Sequence, residues 1–203
     1  VPTGPATLSK EVFVDRLDGL RPTPGFLPRL RALACLVVAL VTASPSAAQV
    51  AVEADPADVG SVDAIITALY ASISGPMNEA RDRNRFLSLF TADARLIPTS
   101  ADAPGGYLVM TPAQYWANAE GALVSMGFTE AEIGRTTENL GMVTHVFSTY
   151  ESFREDQGDR DTPFDGGINS IQILEHAGRY WIMTVMWDST PGKSIPGRYI
   201  GNR

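Results

Sequence analysis

One histidine is the clearest candidate for acid–base chemistry in this sequence. His145 lies in residues 142–154, a segment rich in Val, Thr, Phe and Tyr that is typical of a β-strand. An imidazole changes its charge near neutral pH, so His145 could act as a general base or hydrogen-bond a ligand. The alternative is a structural histidine at a strand edge or a dimer contact. Glu151 has the same strand parity, but it lies about 20 Å away along an extended strand, so the two cannot pair directly.

Several other polar or aromatic side chains interrupt apolar segments and could contact a ligand. Tyr150 and Asn169 could orient a bound molecule, or they could satisfy neighbouring backbone groups. Trp181 could line a pocket or pack in the core. The full set of candidate ligand-binding residues is Tyr70, Tyr115, His145, Tyr150, Asn169 and Trp181.

The sequence lacks the patterns of several common catalytic and cofactor sites. Its two histidines, His145 and His176, show no metal-ligand spacing, and the only cysteine is Cys35. There is no glycine-rich phosphate loop and no G-x-S-x-G motif. The acidic loop 155–165 could hold Ca²⁺ weakly, although a solvated loop is the simpler interpretation. We therefore expect neither a metal nor a cofactor.

The segment RLRALACLVVALVTASPSAA, residues 29–48, has the layout of a secretory signal peptide. Two arginines precede an apolar run that is shorter than the roughly 20 residues a membrane span needs. Ser46 and Ala48 occupy the −3 and −1 positions of a cleavage site, so we expect cleavage after Ala48. A buried core helix is the alternative. The signal reading predicts a periplasmic or secreted protein that has no membrane association after cleavage.

Charge argues against a nucleic-acid partner. The net charge of the chain is −7, and residues 1–48 contain five basic and three acidic residues, so the rest of the chain has a net charge of −9. Such a surface repels phosphate backbones. The predicted organisation is a disordered leader or misplaced start at 1–28, the signal peptide at 29–48, a linker at 49–57, one domain at 58–188 and a tail at 189–203.

Helices are predicted mainly in the first half of the domain. Apolar residues at helical spacing predict a helix over 62–73, and a second, shorter helix follows with Phe86, Leu89 and Phe90 on its apolar face. The third helix runs over 111–126, where Thr111-Pro112-Ala113-Gln114 forms a capping box. The same capping spacing in Thr129–Glu132 predicts one further helical turn.

Strands dominate the second half, and their faces indicate a partner. Beyond residue 133, strands are predicted at 142–154, 168–174 and 180–188, with a shorter strand at 93–97. Simple alternation in 180–188 makes both faces largely apolar. The helices can cover one face, so a second copy of the chain is expected to cover the other and form a homodimer. The alternative is that the tail folds over it.

The order of these elements and several motifs resemble the nuclear transport factor 2-like (SnoaL-like) superfamily, which includes ketosteroid isomerases and many bacterial proteins. The matching segments are Phe90-Thr91-Ala92-Asp93-Ala94-Arg95-Leu96, His145-Val146-Phe147-Ser148-Thr149-Tyr150-Glu151-Ser152, Gly167-Ile168-Asn169-Ser170-Ile171-Gln172 and Arg179-Tyr180-Trp181-Ile182 leading to Trp187-Asp188. The resemblance implies an α+β fold of the cystatin-like type: a cone-shaped, curved, antiparallel or mixed sheet wrapped around three helices, with a cavity between them. Dimers through the sheet are also implied.

The resemblance also provides a test for isomerase chemistry. Ketosteroid isomerases place an aspartate base just before a proline at the end of the first strand, where this chain has Ile97 before Pro98. They also use a tyrosine, and Tyr70 lies on a comparable first helix. Without the aspartate at that position, the sequence leans away from an enzyme.

These observations favour a secreted small-molecule-binding protein with an apolar cavity, a small apolar ligand and a homodimeric state. One alternative is a cofactor-independent isomerase, lyase or hydrolase acting on an apolar ring compound, with His145 as general base. Another is a non-catalytic dimeric scaffold.

Overall fold

Helices on one face of an open, mixed sheet make up the described part of the chain. The computed structural model describes residues 52–100, 103–158, 161–189 and 195–200; the predicted leader, signal peptide and cleavage site lie outside them. The helices are α1 (Pro56–Val59), α2 (Val62–Ile73), α3 (Arg83–Ser88) and α4 (Pro112–Met126). The strands are β1 (Phe90–Pro98), β2 (Thr129–Leu140), β3 (Val143–Phe153), β4 (Asp165–His176) and β5 (Arg179–Ser189). No helix in these ranges is long and apolar enough to cross a membrane.

The sheet has the strand order β1-β5-β4-β3-β2. Strands β2 to β5 form an antiparallel meander, and β1 pairs in parallel with β5. Strands β1 and β2 are the two outermost strands, and the outer side of β1 is bridged by residues 107–110, where Leu96 pairs with Met110. This arrangement confirms the predicted α+β class with a mixed sheet.

Helix α2 forms where the apolar spacing predicts it and covers the sheet. The Ser61 side chain accepts a hydrogen bond from the Ala64 N–H at 3.0 Å and caps the first turn. Ile65 and Ile66 are fully buried in the same core as Val146 and Ile171 of the sheet. We call this side of the sheet the helix-facing face and the other side the outer face.

Helix α4 begins at its predicted capping box and ends at Met126 as predicted, but the further turn expected after it does not form. The Thr111 side chain accepts from the Gln114 N–H, and the Gln114 side chain accepts from the Thr111 N–H. Gly127 adopts a left-handed conformation with φ of 62° and terminates the helix. The predicted helical turn at Thr129–Glu132 is wrong, because these residues pair with β3 and begin strand β2.

Two β-bulges change which side chains share a face. In β5 the register shifts at Met183, so that Ile182 and Val185 are both in the core and Trp187 packs against it. The simple alternation predicted for 180–188 is therefore wrong. Met183 and Met186 remain on the outer face, 37% and 43% exposed. The second bulge lies in β2 between Glu132 and Gly134.

Part of the predicted tail packs on the outer face of the sheet. The Thr149 hydroxyl donates to the Tyr199 carbonyl at 2.6 Å, and the Phe147 and Tyr199 ring centroids lie 5.5 Å apart. The tail therefore covers part of β3 on the outer face. Coverage of this face by the tail was the alternative to a homodimer. It leaves the outer side chains of β5 exposed, so the homodimer stays a prediction.

One arginine joins the ends of two helices. The Arg81 guanidinium donates to the carbonyls of Gly75 and Pro76 after α2 and to the Leu123 carbonyl in the last turn of α4. A Cβ on Gly75 would lie 2.8 Å from the guanidinium carbon, so a side chain at this position would displace the Arg81 guanidinium. Arg81 thereby fixes α4 next to α2, above the helix-facing side of the sheet.

Candidate functional site

A group of polar side chains lies on the helix-facing side of the sheet, opposite α2. It contains Tyr70 from α2, Glu130 from β2, Ser148 and Ser152 from β3, and Asn169 from β4, and we call it the Glu130 cluster. Tyr70 and the two serines are buried, and Asn169 is only 6% exposed. Because buried polar groups need hydrogen-bond partners, their positions are tightly coupled.

The hydrogen bonds of the cluster run in one direction. The Ser148 hydroxyl donates its single hydrogen to the Glu132 carboxylate, which can only accept. The Tyr70 hydroxyl, 2.6 Å from the Ser148 oxygen, must therefore donate to it. The Tyr70 oxygen then accepts from the Asn169 side-chain nitrogen at 3.1 Å. This series of hydrogen bonds orients the Asn169 amide so that its nitrogen faces the cluster.

Glu132 is the last acceptor in this series of hydrogen bonds, and its carboxylate is neutralised by an arginine. The Arg135 guanidinium donates to both Glu132 carboxyl oxygens, at 2.9 and 2.7 Å, in a bidentate pair. Arg135 also donates to Asp63 at the start of α2. The β2 bulge places Arg135 on the same face as Glu132, because Arg135 lies opposite Ser148 and Glu132 lies opposite Tyr150. The pair therefore connects the sheet to α2.

Glu130 lacks such a partner, although it shares the face of Glu132. Its carboxylate accepts from the Ser152 hydroxyl at 3.1 Å and from the Asn169 side-chain nitrogen at 3.4 Å, both neutral donors. Its carboxyl end is withdrawn from water, and this desolvation raises the pKa of Glu130 to about 7, against an ordinary 4.5. The charge of Asp165 adds to the rise. No Lys or Arg in the described ranges lowers the pKa of Glu130.

Two further tyrosines lie within electrostatic reach of Glu130. Burial and the Glu130 charge raise the pKa of Tyr115 and of Tyr150, so both phenols remain neutral. The Tyr150 hydroxyl lies 3.1 Å from the Ser189 hydroxyl. The Tyr115 ring stacks on Phe86 at 5.6 Å, but no hydrogen bond is formed by its hydroxyl within the described residues. Tyr115 therefore lies close enough to Glu130 to respond to its charge.

The structure brings four of the six predicted ligand-binding residues together. Tyr70 and Asn169 belong to the Glu130 cluster, and Tyr115 and Tyr150 lie near Glu130. These four come from α2, α4, β3 and β4, so the fold gathers residues that are far apart in sequence.

The other two predicted residues, His145 and Trp181, lie outside this cluster. The His145 ring is 3.0 Å from the Ser170 hydroxyl and 4.5 Å from the Phe147 centroid, on the outer face. The Trp181 indole donates to the His176 carbonyl at the β4–β5 turn, and its ring lies 3.6 Å from the Arg179 guanidinium carbon. His145 is therefore not placed to act on a molecule bound at Glu130.

Ile97 also faces away from the cluster. In the parallel pairing of β1 with β5, Ile97 lies beside Met186, an exposed outer-face residue, whereas Leu96 lies beside the buried Val185. The position that the resemblance assigns to a base thus has neither the side-chain chemistry nor the orientation for one.

Glu130 was missed by the sequence analysis because Thr129–Glu132 was assigned to a helix. A usable signal was present: Glu130 and Glu132 alternate with Ala131 and Ile133, a period-two pattern that places both glutamates on one face of a strand. The asymmetry between the two glutamates has no sequence signal, because Arg135 reaches that face only through the bulge.

Other kinds of site receive no support from the described part of the chain. It contains no group of three His, Cys, Asp or Glu side chains that could hold a metal ion. A surface depression of about 150 Å³ lies at the end of α2, lined by Ser72, Ser74, Arg81 and Arg85 among others. None of the Glu130 cluster residues lines this depression.

Solved structures of several other proteins are similar to this chain. A protein from Xanthomonas campestris, described as a calcium/calmodulin dependent protein kinase II association domain, is similar with a TM-score of 0.50 and 15% identity, over 65% of this chain and 87% of that one. An NTF-2 like protein from Silicibacter pomeroyi has a TM-score of 0.46 and 13% identity, over 63% and 92%. A protein with a cystatin-like fold from Nostoc punctiforme has a TM-score of 0.49 and 12% identity, over 63% of this chain and 87% of that one.

No protein-family profile matches the chain, and no curated protein sequence matches it. The chain shares its fold with the Xanthomonas campestris protein, and its α+β architecture with a mixed sheet agrees with the one that the sequence resemblance implied. At these levels of identity the likeness establishes the fold alone.

The Glu130→Gln substitution tests the electrostatic description of the site. A carboxyl whose pKa is raised on folding stabilises the protein below its unfolded pKa of 4.5, and this contribution is lost as pH rises to about 7. We expect the variant to match the wild-type free energy of unfolding near pH 4.5 and to exceed it by about 3 kcal/mol at pH 8. Urea unfolding at both pH values measures the difference.

Glu138→Gln is the matched control, because Glu138 lies on the same strand but is exposed on the outer face opposite His145. Its stability difference from wild type should stay constant over this pH range. Equal pH dependence in wild type and Glu130→Gln would contradict the assigned pKa of Glu130.

Proposed function

We propose that this chain, which resembles the nuclear transport factor 2-like superfamily, binds a small organic molecule between its helices and its sheet. The observation that carries the proposal is the Glu130 carboxyl, withdrawn from water and hydrogen-bonded only to neutral groups. Such a group destabilises the unliganded protein, and binding sites are where this kind of cost is retained. The Glu130 cluster would supply the polar contacts to the ligand.

The surroundings of Glu130 favour a ligand with an apolar body. Tyr115 packs against Phe86 and, edge to face, against Trp187, with ring centroids 5.6 and 5.9 Å apart. Ligand sites are mostly apolar and contain few polar groups that fix orientation. A small apolar molecule with one polar group suits this combination.

A second candidate function is cofactor-independent catalysis of an isomerase, lyase or hydrolase type on an apolar ring compound. The observation that favours it is the pKa of Glu130, about 7, because a group that transfers protons works best when its pKa is near the operating pH. In this reading Glu130 replaces His145 as the base. A non-catalytic dimeric scaffold remains the third alternative.

Chemical-shift mapping with a library of small apolar ring compounds tests the binding proposal. Compounds that bind should shift the amide resonances of Tyr70, Glu130 and Asn169 on the helix-facing side. His145 and Ser170 serve as outer-face reporters and should remain unchanged. Shifts confined to the outer face, or no shift with any compound at millimolar concentration, would contradict the proposal.

We also propose that the protein is exported, to the periplasm or beyond the cell, through residues 29–48. The support is their cationic start, apolar run and small-residue end. N-terminal sequencing of the exported protein should find Gln49 or a near neighbour as the first residue. A mature protein that retains residues 29–48 would refute this proposal.

We further propose a homodimer that uses the outer face of β5. Its support is the exposure of Met183 and Met186 on a part of the sheet that the tail contacts do not reach. Light scattering at micromolar concentration should show a dimer for the wild type and a monomer for Met186→Lys. Met77→Lys, at an exposed methionine before α3, is the control and should remain dimeric. A monomeric wild type would exclude the dimer.

A further inference from the structure

We infer that the ligand of the Glu130 cluster carries a positively charged amine, an inference that rests on the binding function proposed above. On the helix-facing side of β2, the Glu130 carboxylate receives hydrogen bonds from Ser152 and Asn169 but has no positive partner in the described ranges. A cationic ligand would supply the missing charge.

The neighbouring Glu132 shows how a carboxylate on this face is neutralised by another residue of the protein. Glu132 receives two hydrogen bonds from Arg135 and one from Ser148. Glu130 has the same orientation and two neutral donors, but no arginine of the described residues pairs with it. The charge balance of the site is therefore complete at Glu132 and incomplete at Glu130, where a bound cation would recover the desolvation cost.

The free hydrogen-bonding capacity around Glu130 consists mainly of acceptors. An ammonium group has only donors, so it needs oxygen atoms with lone pairs to spare. The Glu130 carboxylate has such lone pairs, and the Tyr115 hydroxyl oxygen has no other partner in the described residues. The Tyr150 hydroxyl, engaged only by Ser189, also retains a lone pair. Tyr70, by contrast, is saturated by Asn169 and Ser148.

Aromatic rings supply the second element of amine recognition. Tyr115, Tyr150 and Tyr70 all lie close enough to Glu130 for its charge to raise their pKa values. The faces of such rings carry negative charge density and attract cations, most strongly in a site withdrawn from water. The same rings would pack against the apolar body of the ligand.

The arrangement disfavours an anionic ligand. A carboxylate or phosphate would be repelled by the Glu130 carboxylate, which the charge of Asp165 already disfavours and which no ion pair between described residues neutralises. A neutral ligand with a carbonyl group is the realistic competitor, because it would accept a hydrogen bond from protonated Glu130. The two ligand classes predict opposite effects of pH.

Three probes of similar shape separate the ligand classes: benzylammonium, benzyl alcohol and benzoate. Two-dimensional NMR titrations at millimolar concentration would follow the amides of Glu130 and Asn169 in the wild type. We expect benzylammonium to bind and the other two to bind at least about tenfold more weakly. Glu130→Gln should lose benzylammonium binding while its spectrum keeps the dispersion of a folded protein, and Glu138→Gln should bind like the wild type.

The pH dependence provides an independent readout. The titratable groups that interact with Glu130 are Asp165, Tyr70, Tyr115 and Tyr150, and the pKa of Glu130 itself is raised into the neutral range. Benzylammonium affinity should rise by up to about tenfold from pH 6 to pH 8, as Glu130 ionises. Glu130→Gln should show no such rise.

The outcomes distinguish this inference from the proposed function. Benzyl alcohol that binds at Asn169 as well as benzylammonium, or better at pH 6 than at pH 8, would overturn the amine class and leave the binding function standing. Benzylammonium binding that survives Glu130→Gln would also overturn it. Failure of all three probes to shift Glu130 and Asn169 would overturn the amine inference, whereas the broader ring-compound library decides the binding function.

Discussion

The position of Glu130 depends on the pairing of β2 with β3. Because Glu130 lies opposite Ser152, its side chain must face the helices, and the chain cannot turn it outward without shifting the register of the whole strand. Any register shift would move Glu132 and Arg135 as well and break the connection to α2. The sheet therefore holds a carboxyl away from water because the rest of the strand requires that register.

The bulge in β2 gives two adjacent glutamates different chemistry. It brings Arg135 to the helix-facing side, where it neutralises Glu132 and contacts Asp63. The directed hydrogen bonds from Asn169 through Tyr70 and Ser148 end at that neutralised carboxylate. Asn169 also donates to Glu130. Its amide therefore links the Glu132–Arg135 ion pair, through Tyr70 and Ser148, to a carboxyl with no ion pair among the described residues. One side chain thus connects stability and the candidate binding chemistry.

The predictable parts of this protein are those that follow from local spacing. The stripe in α2, the capping box of Thr111 and the β-rich segment around His145 all predicted elements that the structure contains, and motif order indicated the fold. The sequence-based predictions were wrong where strand pairing between residues distant in sequence determines the local structure. Thr129–Glu132 has a capping pattern but forms a strand, and Met183 breaks an alternation that looked regular. His145 looked functional from its type, yet its face is set by register.

The central claim is that no positively charged side chain in the described ranges compensates the carboxyl of Glu130. Carbon-13 NMR of the side-chain carboxyl, assigned by comparison with Glu130→Gln, measures its titration directly in the full chain. The account predicts a midpoint near pH 7, well above the ordinary 4.5 of a glutamate. A midpoint at or below 4.5 would mean that Glu130 is solvated or neutralised by a cation, and would contradict the account.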